Sequence, residues 1–150
     1  MIRMYKYSCE GFSFMMVDGR DADIPRFRSR RDVHALCLLN AADGLAILTR
    51  PDCVGEGDFT LELFDASGCR CVTADSPSAI PAIRCSVAFA DLVGVKAFHS
   101  VSYSLTAPDG SVRHAEILSH LGECKVIRLL PGGTETPSDA PVLCEGDLLD

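Results

Sequence analysis

Cysteines are the residues of this sequence with the most chemistry to offer, and there are eight of them in 150 positions. A cysteine thiolate can act as a nucleophile, a base or a metal ligand. The sequence contains no Cys-x-x-Cys pair, and the two closest cysteines, Cys69 and Cys71, fall on one face of a predicted strand. Structural zinc sites draw four ligands from tighter spacings, so the pattern predicts free thiols and no metal site. The histidines show no ligand spacing either: His34, His99, His114 and His120.

Length, charge and hydropathy restrict the kind of protein this is. A chain of 150 residues is typically one domain, and a net charge of −7 argues against nucleic-acid binding. No apolar run approaches the ~20 residues of a membrane span, and Met1 to Lys6 holds no signal-peptide hydrophobic region. We therefore expect a cytoplasmic protein with no membrane partner, no nucleic-acid partner and reduced thiols.

The charges are distributed unevenly along the chain. Residues 132–150 carry five acids and no base, which predicts an acidic, solvated C-terminal extension after a single domain at residues 1–131. The arginine run at 26–31 predicts a solvated basic face. Two alternatives remain open: the arginine run binds an anion, or the acidic segment lies on the basic face of a neighbouring molecule.

The strongest structural signal is an apolar segment that we predict to be a helix at about 78–93. A serine at 76 or 78 can serve as its N-cap, prolines are tolerated in its first turn, and Gly94 supplies a left-handed stop. Apolar residues go nearly all the way round it, which is typical of a helix buried on every side. Arg84 is its only cation and pairs either with an acid near the helix start or with solvent. Cys85 is predicted to be an inert core thiol.

Alternating and apolar segments around this helix predict about eight strands. The predicted strands lie at 5–8, 12–18, 45–49, 59–64, 69–73, 98–106, 111–119 and 124–130. A shorter helix is predicted at about 30–39, with Ser29 as its N-cap, and Gly44 is expected to give the following turn its positive φ. The fold class is therefore α+β, with mostly antiparallel or mixed strands wrapped around a buried central helix.

Four segments, taken in order, resemble the N-terminal lobe of the diaminopimelate epimerase family. Lys6 through Asp18 is similar to the family's opening Lys-Met-His-Gly-x-Gly-Asn-Asp-Phe-x-x-x-Asp. Ala42 through Leu45 matches its Gly-Ala-Asp-Gly-Leu, and Phe64 through Gly68 resembles its Phe-Asn-Ala-Asp-Gly. Ile83-Arg84-Cys85 matches the end of its Met-Cys-Gly-Asn-Gly-Ile-Arg-Cys signature. The resemblance covers residues 5–95.

The resemblance implies a cofactor-independent epimerase or racemase, in which two cysteines, one from each lobe, move a proton at the α-carbon of an amino acid. Helix N-termini in such enzymes hold the substrate carboxylate and lower the pKa of a nearby thiol. This sequence departs from that pattern, because the catalytic cysteine falls on Ala74 or Ala79. Pro77 and Pro81 remove two backbone donors from the same segment, and the second lobe is missing.

The family's ligand-binding positions fall on Gly11, Phe12, Asp65 and Ala79, and most of them are substituted relative to the family. An acid at Asp65 would repel a substrate carboxylate. Cys71 is the candidate for a relocated base, because it lies just upstream of the lost cysteine position at the end of a predicted strand.

Three functional hypotheses follow. The first is a non-catalytic, single-lobe relative of the family that acts as a binding or structural module, uses no cofactor and forms a homodimer in place of the missing lobe. The alternative is a homodimeric, cofactor-independent amino-acid racemase or epimerase, an isomerase that uses Cys71. The third is an anion-binding adaptor that uses the arginine run. A small amino-acid-like ligand is a possible partner in the first two.

Overall fold

The computed structural model describes residues 4–20, 28–51, 57–72, 77–96, 102–121, 123–130 and 142–149. These residues form two helices, α1 at Arg30–Asn40 and α2 at Ala79–Leu92. They also form nine strands: β1 Met4–Cys9, β2 Phe12–Asp18, β3 Gly44–Thr49, β4 Phe59–Asp65, β5 Arg70–Cys71, β6 Ser102–Thr106, β7 Val112–Leu121, β8 Cys124–Leu129 and β9 Val142–Leu149. No helix in this part of the chain is long and apolar enough to span a membrane.

Eight of the strands close into a barrel. Their order is β3-β2-β1-β9-β8-β7-β6-β4, and the pairing of β4 with β3 completes the circle. Strand β5 pairs with β4 and lies outside the closed ring. Strands β2 and β3 run parallel, as do β4 and β6, and the other neighbours are antiparallel. The predicted α+β arrangement of mixed strands around a helix is confirmed.

Helix α2 fills the barrel. Twelve of its 14 residues are buried, including Arg84. The helix lies within the predicted span, with Ser78 at the N-cap position and Gly94 at a φ of +73° just after the last turn. Because its side chains are apolar on every face, only a surround of strands can remove them all from water.

A buried polar cluster anchors the C-terminal end of α2. The ammonium of Lys125 on β8 lies 3.1 Å from the carboxylate of Asp91, and both side chains are almost completely buried. The hydroxyl of Tyr103 on β6 donates to the same carboxylate at 2.8 Å. Burial, and then this carboxylate, raise the pKa of Tyr103. These contacts hold the end of α2 against two strands on one side of the barrel.

Helix α1 packs on the outside of the barrel, over β2 and β3. The buried residues of α1 are Val33 and Cys37. The outward-facing residues that they meet are Met15, Val17, Leu45, Ile47 and Phe64. Ser29 caps the helix as predicted, since its side chain accepts a hydrogen bond from the N–H of Asp32 at 3.2 Å. Strands β2 and β3 are thus buried on both faces, which explains their continuous apolar sequences.

Strand β9 is the main departure from the sequence prediction. We expected residues 132–150 to be a solvated acidic extension, but Val142–Leu149 lies in the barrel between β1 and β8. For these eight residues the expectation of a solvated segment is wrong. Residues 131–141 lie outside the described part of the chain, and the domain boundary at 131 stays a prediction.

The composition of β9 explains why its sequence does not predict a strand. Its inward positions include Cys144 and Gly146, which are small, while Glu145 and Asp147 face outward and are exposed. Small residues inside and acids outside give a weak alternating signal. Gly146 is required at its position, because a Cβ there would collide with the buried ring of Tyr7.

The turn before β3 corrects a second expectation. We expected Gly44 to supply a positive φ, but the positive φ in this turn, 52°, belongs to Ala41. Gly44 is the first residue of β3, and a Cβ there would lie 2.5 Å from the carbonyl oxygen of Phe64. Glycine is therefore needed for the close approach of two backbones rather than for conformational freedom.

Candidate functional site

The residues that the sequence marked as a site lie toward one end of the barrel, where α2 begins. The turn between β1 and β2 contains Gly11 and leads to Phe12, and Asp65 is the last residue of β4. In the sheet, residues near the start of β2 pair with residues at the start of β3. The first residue of β3 in turn pairs with Asp65. Arg84, in the second turn of α2, forms an ion pair with Glu10 in the β1–β2 turn. The topology thus gathers these elements at one pole, which we call the α2-start pole.

The β1–β2 turn is a tight hairpin in which both central residues have positive φ. The φ angles are 54° at Glu10 and 84° at Gly11, as in the two-residue turns that fit twisted antiparallel strands. No atom lies within 4 Å of where a Cβ on Gly11 would be. The side chain of Phe12 is half-buried and packs against the interior core. Phe12 therefore serves packing here, where the family has a polar amide.

Asp65 organises its own turn. Its carboxylate accepts hydrogen bonds from the N–H of Ser67 at 3.0 Å, from the hydroxyl of Ser67 at 2.6 Å and from the N–H of Cys69 at 3.0 Å. Partial burial opposes ionisation, but these hydrogen bonds prevail and lower the pKa of Asp65. The carboxylate is therefore charged at neutral pH and engaged within the turn.

Cys71 lies on β5, where it pairs in register with Leu63 of β4. The residue is half-buried, and burial, followed by the nearby carboxylate of Asp65, raises the pKa of its thiol. A proton-abstracting cysteine needs the opposite, a lowered pKa that supplies thiolate at neutral pH. The surroundings of Cys71 therefore do not activate it as a base.

The first turn of α2 offers little to an anion or a proton. Ser78 occupies the N-cap position in a helical conformation and makes no side-chain capping hydrogen bond. Ala79, one of the two positions that the resemblance assigns to the catalytic cysteine, is buried. Pro77 and Pro81 have no N–H group. Ala74, the other assigned position, lies outside the described residues.

The partner of Arg84, left open by the sequence, is Glu10. The Arg84 side chain is 1% exposed, whereas the Glu10 side chain is 39% exposed. Glu10 thus reaches from the surface of the β1–β2 turn to a guanidinium inside the barrel. The pair links the hairpin to α2 and places a positive charge in the interior near the α2-start pole.

Three cysteines meet next to this ion pair. Cys9 ends β1, Cys85 lies in the second turn of α2, and Cys144 lies on β9; all three are buried, and their sulfur atoms lie within 4.8 Å of one another. We call this group the thiol cluster. Hydrogen bonds from Cys144 and then Cys85, together with the charge of Arg84, lower the pKa of Cys9, whereas burial raises that of Cys85. The surroundings thus favour ionisation of Cys9 over ionisation of Cys85.

Sequence reasoning missed the thiol cluster. Its members are far apart in the chain, whereas short spacings between cysteines indicate only ligands that are close in sequence. Cys144 also belongs to the segment that was expected to be solvated. One signal was present, since Tyr5, Tyr7 and Cys9 alternate along β1 and therefore share a face, but finding the cluster also required β9 to be recognised as a strand.

The basic segment forms an open groove on the outer surface. Arg30, Arg31, His34 and Ser67 line a depression of about 470 Å³ beside the start of α1. Arg28 instead forms an ion pair with Glu62 at 2.8 Å. Arg26 lies outside the described residues, so the structure places only part of the predicted arginine run, on a solvated face.

No protein-family model and no curated protein matches the chain. Several solved structures are similar to it. Methylitaconate-delta-isomerase has a TM-score of 0.61 at 13% identity, over 95% of this chain and 41% of that chain. The Bacillus anthracis phenazine biosynthesis protein of the PhzF family has a TM-score of 0.57 at 10% identity, over 85% and 40%. A probable proline racemase from Agrobacterium radiobacter K84, with bound carbonate, has a TM-score of 0.53 at 16% identity, over 86% and 41%.

At these identities the likeness concerns the fold. The chain spans about two fifths of the length of each of these structures. The barrel closed around α2 is therefore an architecture that the longer proteins also contain. We conclude that this chain has the fold of one part of methylitaconate-delta-isomerase, of a PhzF-family phenazine biosynthesis protein and of a probable proline racemase.

Proposed function

We propose that this chain is a non-catalytic, single-lobe relative of the diaminopimelate epimerase family that acts as a binding or structural module. The observation that carries the proposal is the start of α2. No side chain from Pro77 to Ala82 can gain or lose a proton near neutral pH. Ala79, and equally Ala74 in the sequence, stands where the resemblance requires the proton-moving cysteine.

The alternative is an isomerase that uses a relocated cysteine. The racemase and isomerase among the similar structures support this class of reaction if the chain has any activity. The raised pKa of Cys71 counts against that residue as the base. Cys9 has a lowered pKa, but it is 3% exposed and cannot touch a substrate outside the barrel. We therefore favour the non-catalytic function.

Proton exchange separates the two proposals. When the protein is incubated in D2O with a panel of free amino acids, we expect no deuterium at any α-carbon above the protein-free rate. The reason is that an epimerase must remove the α-proton, and among the described residues no thiol at the α2-start pole is both activated and open to solvent. Mass spectrometry of the amino acids measures the exchange.

Cys71→Ser is the matched variant for this experiment, and an amino-acid racemase run in parallel shows that exchange is detectable. The alkylation rate of Cys71 as a function of pH gives a second readout, and we expect its midpoint above that of an ordinary cysteine. Exchange by the wild-type protein that disappears in Cys71→Ser would establish the isomerase alternative instead.

The module is proposed to work as a homodimer, in which a second copy takes the place of the second lobe that the resemblance implies. A strip of apolar residues on the outside of the barrel suits this role. Leu118 at the β-bulge of β7 and Leu143 on β9 are 46% and 43% exposed. Val126 of β8 lies between them, paired in register with Ser119 and Leu143. Paired copies would cover this β7–β9 strip.

We expect the wild-type protein to have the mass of a dimer in size-exclusion chromatography with light scattering. The double variant Leu118→Asp/Leu143→Asp should have the mass of a monomer, since a carboxylate in an apolar interface loses its hydration. Leu38→Asp/Leu39→Asp is the control, because these exposed leucines lie on α1 instead. A monomeric wild-type protein would refute the dimer, and a control that dissociates equally would refute the assignment to the β7–β9 strip.

A further inference from the structure

The thiol cluster is the one place in the described residues where three metal-ligating side chains converge. Its members come from three elements that are distant in sequence: β1, α2 and β9. Neither proposed function uses the cluster, because it lies inside the barrel and away from any open surface. Packing alone does not require sulfur at all three positions, since buried cysteine behaves as a small apolar residue.

The spacing of the sulfur atoms suits coordination of one ion. A zinc–sulfur bond is about 2.3 Å long, so three sulfurs on one ion lie about 3.8–4.0 Å apart. The three sulfurs of Cys9, Cys85 and Cys144 lie within 4.8 Å of one another. Each sulfur–sulfur distance therefore has to shorten by at most about 1 Å to place all three within bonding distance of one ion.

The charges around the cluster also suit a bound cation. Metal ligation requires thiolates, and three thiolates together with the Glu10 carboxylate carry four negative charges. The buried guanidinium of Arg84, which forms an ion pair with Glu10, offsets one of them. A metal ion would offset one or two more, which lowers the cost of holding thiolates in the interior.

The β1–β2 turn places a carboxylate between the cluster and solvent. The Glu10 side chain is 39% exposed, and one of its carboxylate oxygens lies 3.8 Å from the sulfur of Cys9. The carboxylate is therefore placed to act as a fourth ligand. Tetrahedral zinc needs such a ligand, whereas Cu(I) is among the soft ions that thiolates select and can be held by three sulfurs.

We propose that Cys9, Cys85 and Cys144 bind one soft metal ion, Cu(I) or Zn(II), through their sulfur atoms inside the barrel. Binding releases the protons of the ligating thiols to solvent, and no oxidation or reduction takes place. The site is independent of the proposed function, since it requires neither catalysis nor dimerisation.

The test is a titration of the reduced, metal-free protein with Cu(I) and separately with Zn(II), without oxygen and against a chromophoric chelator. We expect one equivalent of at least one of the two ions to bind per chain and to raise the unfolding temperature. Cys9→Ala, Cys85→Ala and Cys144→Ala should each lower the affinity at least about tenfold. The controls are Cys37→Ala, which removes a buried thiol outside the cluster, and Cys69→Ala/Cys71→Ala.

Two further measurements count the sulfur ligands and distinguish the two ions. X-ray absorption of the wild-type complex counts the sulfur ligands without any variant, so a variant that fails to fold does not matter, and we expect three. Glu10→Gln distinguishes the ions: weaker binding of zinc with unchanged binding of Cu(I) supports a fourth ligand for zinc. Failure of both ions to bind at one equivalent, fewer than three sulfur ligands, or an equal loss in the control variants overturns the proposal.

Discussion

Gly68→Ala is expected to lower the free energy of unfolding by about 3 kcal/mol, which combines a conformational and a packing penalty. Gly68 has a φ of 91°, and an added Cβ would lie 2.8 Å from the carbonyl carbon and 2.9 Å from the Cα of Arg30. Positive φ costs an L-residue roughly 1–2 kcal/mol, and displacing packed backbone costs roughly 1–3 kcal/mol more. Because Arg30 begins α1, the helix must move away from the barrel. Urea unfolding followed by circular dichroism measures the loss.

Gly110→Ala is the matched control. Its φ is 87°, almost the same as that of Gly68, but no atom lies within 4 Å of where its Cβ would be. Only the conformational penalty of roughly 1–2 kcal/mol is expected there. Equal losses in the two variants would mean that α1 does not approach the β4–β5 turn as closely as the structure places it.

The second large effect is expected at the other end of α2. Lys125→Met should lower the free energy of unfolding by about 3–5 kcal/mol, because it removes the buried ammonium that lies 3.1 Å from the Asp91 carboxylate. The hydroxyl of Tyr103 still donates to that carboxylate, but a neutral donor does not replace the charge of an ammonium. Thermal and denaturant unfolding at neutral pH measure the change.

The double variant Lys125→Met/Asp91→Leu tests the cause. Removing both charges should recover part of the stability lost in Lys125→Met, since the buried carboxylate is removed together with its ammonium. Arg28→Met is the surface control: its ion pair with Glu62 at 2.8 Å is partly exposed, and such pairs contribute about 0–1 kcal/mol. A Lys125→Met protein as stable as the Arg28→Met protein would show that the buried pair does not anchor α2.

Much of the fold follows from local pattern. The segment around Arg84 is apolar on every face and lies between the serines that precede it and Gly94, which is typical of a buried helix. The alternating segments before and after it could only supply the surrounding strands. Ser29 and the Asp65–Gly68 turn act through hydrogen bonds to residues two to four positions away, which a sequence displays directly.

The local sequence pattern does not predict that the strands close into a barrel. Strand β9 has small residues inside and acids outside, and it is defined mainly by the two strands that it joins. The pairing of β3 with β4, which completes the ring, is likewise a property of the whole sheet. The sequence indicates that a glycine is needed at position 44. The physical reason is the nearby carbonyl oxygen of Phe64, and that contact exists because β3 pairs with β4.

For the candidate site, residue types alone carry the prediction drawn from the resemblance: alanine where a thiol is expected and proline where backbone donors are expected at the start of α2. Substitution at a motif position is a property of the chain and needs no coordinates. The pairing of Arg84 with Glu10 and the meeting of Cys9, Cys85 and Cys144 were decided only by the folded barrel. These groups are separated by dozens of residues and become neighbours because strands β1 and β9 close around one helix.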